Sequence, residues 1–167
     1  ANNRYLCERS SYSSSNDYTW FQTHRGLQTN NRGNPGPDTK LSGFLVMPAS
    51  LINSINIAMF KFCWIDVWNN NIPDGAVFAN NMIADIEALE AANPNLIVPY
   101  WTMPIESGQS FEVRQVFNNT IRNYCVANQK WLVDIADIEC RDSNMTRRLD
   151  ADSREVLQPD YTSDGGH

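Results

Sequence analysis

Apolar residues are unevenly spread along this chain. Residues 1–43 are rich in Asn, Ser, Gly and Pro, as in "SSYSSSND" and "TNNRGNPGPDTK". That composition predicts loop and turn with little regular structure. "DYTWF" at 17–21 interrupts it with three aromatics and reads as a local anchor. "FLVMPASLINS" at 44–54 reads as a short helix or a strand-edge element, broken at Pro48. The pattern then changes. "INIAMFKFCWIDVW" is an almost continuous apolar run from Ile55 to Trp68. Its centre, residues 57–62, predicts a strand buried on both faces, as in a parallel sheet.

A loop, "NNNIPDG", leads to Asp74, which is placed to cap the next helix. Phe78, Met82, Ile86 and Leu89 recur at helical spacing and predict a helix over 76–92, ended by Asn93-Pro94. "LIVPYWTMP" at 96–104 predicts a second buried strand. Ser110 is placed to cap a second helix over 111–127, with Val113, Phe117, Ile121 and Tyr124 on its inner face. "WLVDI" at 131–135 predicts a third strand. The tail from Arg141 is polar and loop-like, with a short helix near residues 150–156.

Strand–helix–strand–helix–strand alternation predicts the α/β class, a parallel sheet with helices on both faces, in a single domain over 1–167. Open sheets of this kind bind ligands beyond the carboxyl ends of their strands. The residues to watch are therefore Cys63 to Asp66, Thr102 to Pro104 and Asp134 to Glu139.

Composition narrows the function classes. The formal net charge is -6, so the chain lacks the basic balance that releases phosphate counterions, and no nucleic-acid partner is expected. No apolar run reaches the ~20 residues that span a bilayer, so no membrane span is expected. The chain opens "ANNRYLCERS", without Met or a basic-then-apolar leader. The compartment stays open, secreted and periplasmic locations included, as does the oligomeric state. Cys7, Cys63, Cys125 and Cys140 are too widely spaced for a zinc knuckle. Cys63 and Cys125 read as buried thiols, and a pairing of Cys7 with Cys140 is left undecided. The sequons at Asn118 and Asn144 are no more than chance supplies in so Asn-rich a chain.

Proton-transfer chemistry has few places to reside. His24 has no carboxylate near it in sequence and reads as a loop residue, whereas His167 follows Asp164 across two glycines in "YTSDGGH". A carboxylate three residues from an imidazole can fix its tautomer and stabilise its protonated form. Lys61, inside an apolar strand, calls for a partner such as Asp134 or Asp66, or for an exit to the sheet edge. Trp64, Trp68, Tyr100 and Trp101 lie near strand ends. They read as core, with sugar stacking the functional alternative.

"YTSDGGH" preceded by "LQP" resembles the final block of SGNH/GDSL-type hydrolases. "FKFCWIDVW", "NRGNPGPDTK" and "WLVDIADIE" are similar to further blocks of that family in the right order, over about residues 17–167. The resemblance implies a three-layer α/β/α flavodoxin-like sandwich and a serine esterase or acyl hydrolase acting on a small-molecule or carbohydrate ester. It implies no cofactor and no metal. His167 matches the general base and Asp164 its orienting carboxylate. Gly33 and Asn34 match the oxyanion donors. Asp66 stands where relatives carry a third-block Asn; it is either a substrate-hydroxyl ligand or a turn cap, since a carboxylate repels an oxyanion. No serine follows a predicted strand near the start of the chain. The first strand and its nucleophile are accordingly expected upstream of Ala1, and residues 1–167 alone are expected to be inactive. Two alternatives stay open. One is an inactive carbohydrate-binding or adaptor domain on the same scaffold. The other is a metal-assisted hydrolase with Asp66, Asp134, Asp164 and His167 as oxygen-rich ligands for Mg²⁺ or Mn²⁺.

Overall fold

The computed structural model describes residues 21–22, 28–29, 36–47, 49–106 and 112–161. The chain divides into two units, residues 1–56 and 57–167.

The described residues of the first unit include regular elements where the composition suggests loop. Strands β1 (Phe21–Gln22) and β2 (Gln28–Thr29) pair antiparallel, with Phe21 opposite Thr29. Helix α1 spans Pro37–Leu45, part of which was expected to be loop. Gly36 precedes it at φ 93, a left-handed conformation that suits glycine, and Pro37 occupies the first turn, where its missing N–H costs nothing. Thus "GPD" reads as a helix start rather than a turn. Leu41 and Phe44 are buried along α1, and Leu51 is buried in α2 (Ala49–Ile52).

The second unit carries the alternation the hydrophobic pattern predicts. Ile57 forms a parallel bridge with Ile97, and Ala58 N–H donates to the Ile97 carbonyl at 3.0 Å. Strand β3 (Tyr100–Trp101) pairs parallel with β4 (Leu132–Val133), Tyr100 opposite Leu132. The 57–58 segment, the 97–101 segment and β4 therefore run parallel and side by side. Helix α3 (Gly75–Ala92) and helix α4 (Glu112–Asn128) make the two connections. Asp74 caps α3, its Oδ1 accepting from Ala76 N (2.9 Å) and Val77 N (3.0 Å); such a cap contributes about 1 kcal/mol. Asn93 ends the helix ahead of Pro94.

Both helices lie against one face of these strands. Phe62 meets Phe78 of α3 at 5.2 Å and Phe117 of α4 at 5.8 Å between ring centroids. Tyr100 meets Tyr124 of α4 at 5.2 Å. Ala58, Phe62, Val98 and Tyr100 are buried, while Ile57 (48%), Met59 (64%) and Ile97 (41%) are exposed. The first strand is thus buried on one face, not on both as its apolar run suggested. An unbroken run reports only that both faces tolerate apolar groups, and packing decides which is covered.

The two helices approach closely at Gly75. A Cβ there would stand 2.0 Å from the Val113 carbonyl oxygen and 2.9 Å from Phe117 N. Glycine is required at this position because helix backbone, not a movable side chain, occupies the space.

Two further elements differ from the sequence reading. Residues after β4 form helix α5 (Ile135–Glu139), capped by Asp134, whose side chain accepts from Asp137 N. Residues 150–156 form no helix. Instead two hairpin loops follow one another eight residues apart. Asp142 Oδ1 accepts from Asn144 N and Thr146 N, and Asp150 Oδ1 accepts from Asp152 N and Arg154 N. Met145 (φ 64) and Ser153 (φ 62) take the left-handed position of each loop. Aspartates that bond backbone two and four residues ahead favour such turns over helix continuation.

Substituting Gly75→Ala is expected to destabilise the protein by about 3 kcal/mol, the upper end of overpacking. Urea unfolding should show a lowered midpoint at constant slope; an unchanged midpoint would disprove the close helix approach.

Candidate functional site: the polar network at the strand exits

Three strand exits meet at one end of the parallel segments, and each carries a buried or half-buried polar side chain. At the first, Asp66 is fully buried and its Oδ2 accepts from Cys63 N at 2.7 Å, closing the turn into the 3-10 helix Trp64–Asn70. This is the turn-cap arrangement anticipated as one of its two roles. At the second, Thr102 is buried, donates to Asp134 Oδ1 (3.0 Å) and accepts from Ala136 N (3.0 Å). One hydroxyl so ties the second exit to the third.

Helix α4 supplies the countercharge. Arg114, Asn118 and Arg122 recur every four residues and turn inward beside the apolar Phe117, Ile121 and Cys125. Asn118 is fully buried and pairs with Met103 in both directions, accepting from its N (2.7 Å) and donating to its carbonyl (3.1 Å). The sequon at Asn118 is therefore enclosed in the fold, while that at Asn144 is exposed on a loop. Arg122 grips Asp134 through Nε and Nη2, both at 2.7 Å, and Nη2 also reaches Glu155 at 2.8 Å. Glu155, whose side chain is 1% exposed, takes a second guanidinium from Arg147. Arg147 also meets Asp137 at 3.1 Å, and Asp137 is held in turn by Arg141 at 2.7 Å. The result is a chain of alternating charge, Asp134–Arg122–Glu155–Arg147–Asp137–Arg141.

The pKa shifts follow from this geometry. Burial alone raises the Asp134 carboxyl, but the Arg122 hydrogen bonds and charge outweigh it and hold Asp134 below the ordinary aspartate value. Burial lowers the Arg122 guanidinium, and Asp134 with Glu155 more than reverse this, raising it. Burial pulls Arg114 down to about 10, against opposing pulls from Glu106, Glu155 and Glu139. Burial raises Glu139, whose Oε2 accepts from Ile105 N at 2.9 Å. Lys61 is exposed, so it needs no buried partner; its charge acts on Glu139 at a distance.

Several groups with ligand atoms gather here among the described residues. Ligand atoms of Asp137, Cys140 and Glu155 lie within 4.8 Å of one another. The cation role among them is already filled by Arg141, Arg147 and Arg122. Cys140 is a free, buried thiol donating to the Asp137 carbonyl at 3.2 Å, and burial raises its pKa. Asp134 and Asp66 are similarly committed, to a guanidinium and to a backbone N–H.

The other sequence-derived candidates, His167, Asp164, Asn34 and Gly33, lie outside the described residues, as does His24. Among the described residues the exits thus hold no histidine, and the Cys140 thiol beside the third exit is raised by burial. Two open clefts flank the same end. One, about 560 Å³, is lined by Pro73 to Ala76 with Glu112, Val113 and Val116. The other, about 400 Å³, is lined by Glu112, Gln115, Val116, Asp152 and Arg154.

Sequence reasoning marked Thr102 and Asp134 by position but missed Arg114, Asn118, Arg122 and Glu155. The available signal was the four-residue recurrence of Arg114, Asn118 and Arg122, adjacent to the apolar stripe rather than opposite it. Glu155 gave no local signal. No protein-family model matches the chain, no curated protein matches it, and no solved structure matches it. No described helix is long and apolar enough to cross a membrane.

Replacing Arg122 with Ala leaves two acidic groups short of countercharge and is expected to cost about 3 kcal/mol or more at neutral pH, read from urea unfolding. Asp134 contributes stability that is present above the unfolded aspartate pKa of about 4 and lost as pH falls through its lower folded value. The stability gap between the wild type and Asp134→Asn should therefore be widest near pH 7 and shrink in acid. A gap that widens in acid would refute the assignment.

Proposed function

We propose that this chain is the acid–base-bearing part of a serine esterase or acyl hydrolase of the SGNH/GDSL type. Its substrate is a small-molecule or carbohydrate acyl ester. One observation carries the reading. The phrases "FKFCWID" and "WLVDIADIE", which carry the resemblance, fall at strand exits on the same end of parallel segments, with Thr102 joining the second exit to the third. Ligand chemistry in open parallel sheets occurs at that end.

The proposed fold is the three-layer flavodoxin-like sandwich. Helices α3 and α4 form one layer, and the exposed face of Ile57, Met59 and Ile97 is where a second helical layer belongs.

In the proposed reaction, His167 takes the proton of a serine hydroxyl, with Asp164 fixing the imidazole tautomer. The serine oxygen adds to the ester carbonyl, and N–H groups near Gly33 and Asn34 hold the oxyanion. Collapse expels the alcohol, which receives the proton from His167. Water, deprotonated by His167, then releases the acid from the acyl-serine. Asp66 enters as the turn cap that shapes the first exit.

A second reading, an inactive binding or adaptor domain, is favoured by the commitment of the exit carboxylates Asp66 and Asp134 to structural bonds.

The test is covalent labelling of the full-length gene product by a fluorophosphonate. The proposal expects labelling of one serine, reduced by at least about 100-fold in His167→Ala and by less in Asp164→Asn. Labelling that is absent, or indifferent to His167, would leave only the binding domain.

A further inference from the structure

We infer that Glu155, with Arg122 and Arg147, forms a clamp that positions the segment leading into "YTSDGGH" against the strand exits. Its catalytic consequence rests on the hydrolase reading; its structural content does not.

Glu155 lies far along the chain from the exits, yet its carboxylate is among the most enclosed groups of the protein, 1% exposed. Arg122 reaches it from α4 at 2.8 and 3.0 Å while gripping Asp134 at the third exit. Arg147 reaches it from the hairpin through Nη2 and binds Asp137 of α5 through Nε. The Glu155 backbone N–H also donates to Gln115 Oε1 of α4 at 2.9 Å.

The following residues are tied down in sequence. Val156 N donates to Arg148 O at 3.1 Å, and Gln158 N to Glu139 O at 3.0 Å. Gln158 Nε2 donates to Cys140 O at 3.0 Å. Arg148 Nη1 holds the Leu157 carbonyl at 2.6 Å, and the Leu157 side chain is buried with Ile105, Ala136 and Cys140. Tyr161 N donates to Gln158 O, closing the 3-10 turn three residues before Asp164.

A buried carboxylate between two guanidiniums is an expensive arrangement if stability alone is at stake, since an apolar group of similar size often serves as well. What it adds is registry. Two planar guanidiniums from different elements accept one carboxylate in one geometry. Glu155 is thereby a positioning residue, fixed to the exit that carries Asp134.

The test uses the full-length gene product and two variants, Glu155→Gln and Arg147→Gln. The second leaves Arg122 on Glu155 and so guards against simple unfolding. Amide hydrogen exchange should accelerate at least about tenfold in residues 155–161 of either variant while α3 and the core of α4 keep their protection. Fluorophosphonate labelling should then fall at least about tenfold in maximal rate with the half-saturating probe concentration unchanged, since misplacement by an ångström costs on the order of 100-fold. Unchanged exchange in 155–161 in both variants overturns the clamp. Accelerated exchange with unchanged labelling overturns its catalytic role. A wild type that is not labelled overturns the hydrolase reading, and the exchange measurement still decides the clamp.

Discussion

Arg122 stands between Asp134 and Glu155, and most of the organisation of the strand-exit end depends on that placement. Without the guanidinium, two carboxylates would share a poorly hydrated space, where like charges repel strongly and neither can be solvated well. With it, β4, α4 and the hairpin segment before residue 158 are held by one planar group. The hydroxyl of Thr102 and the amide of Asn118 extend the same logic to the second exit, where backbone groups leaving a strand would otherwise be buried without partners.

Beneath this polar end the packing is conventional and one-sided. The Phe62–Phe78–Phe117 cluster and the glycine contact at Gly75 bring α3 and α4 together over one face of the parallel segments. The opposite face, with Ile57, Met59 and Ile97, retains its exposure. The polar and apolar parts meet on α4, which presents Phe117 and Ile121 to the core and Arg114, Asn118 and Arg122 beside them. A single helix therefore links the aromatic core to the charge network.

The chemistry is divided in a corresponding way. The described exit carboxylates are committed: Asp134 and Glu155 are neutralised by guanidiniums and Asp66 is bonded to a backbone N–H, while burial raises the Cys140 thiol. Such groups hold geometry. The proposed proton transfer rests instead on His167 and Asp164, which carry the sequence resemblance.

The two long helices, the parallel alternation and the Asp74 cap were legible because each is encoded locally, by periodicity or by a side chain bonding its own backbone two or three residues on. The exits were legible as places, since strand ends can be located without knowing what meets there. Helix α1 was obscured because Gly-Pro-Asp serves turns and helix starts alike, and the second hairpin loop because its residues also suit a short helix. Long-range pairing was beyond the sequence altogether. Nothing near Glu155 indicates Arg122, 33 residues earlier, and nothing in an apolar run states which face a helix will cover. The chain by itself determined the two long helices and the strand segments they connect, through periodicity and short-range backbone preferences. Only tertiary packing decided which charges neutralise one another and which sheet face is covered, because desolvation and close contact depend on neighbours distant in sequence.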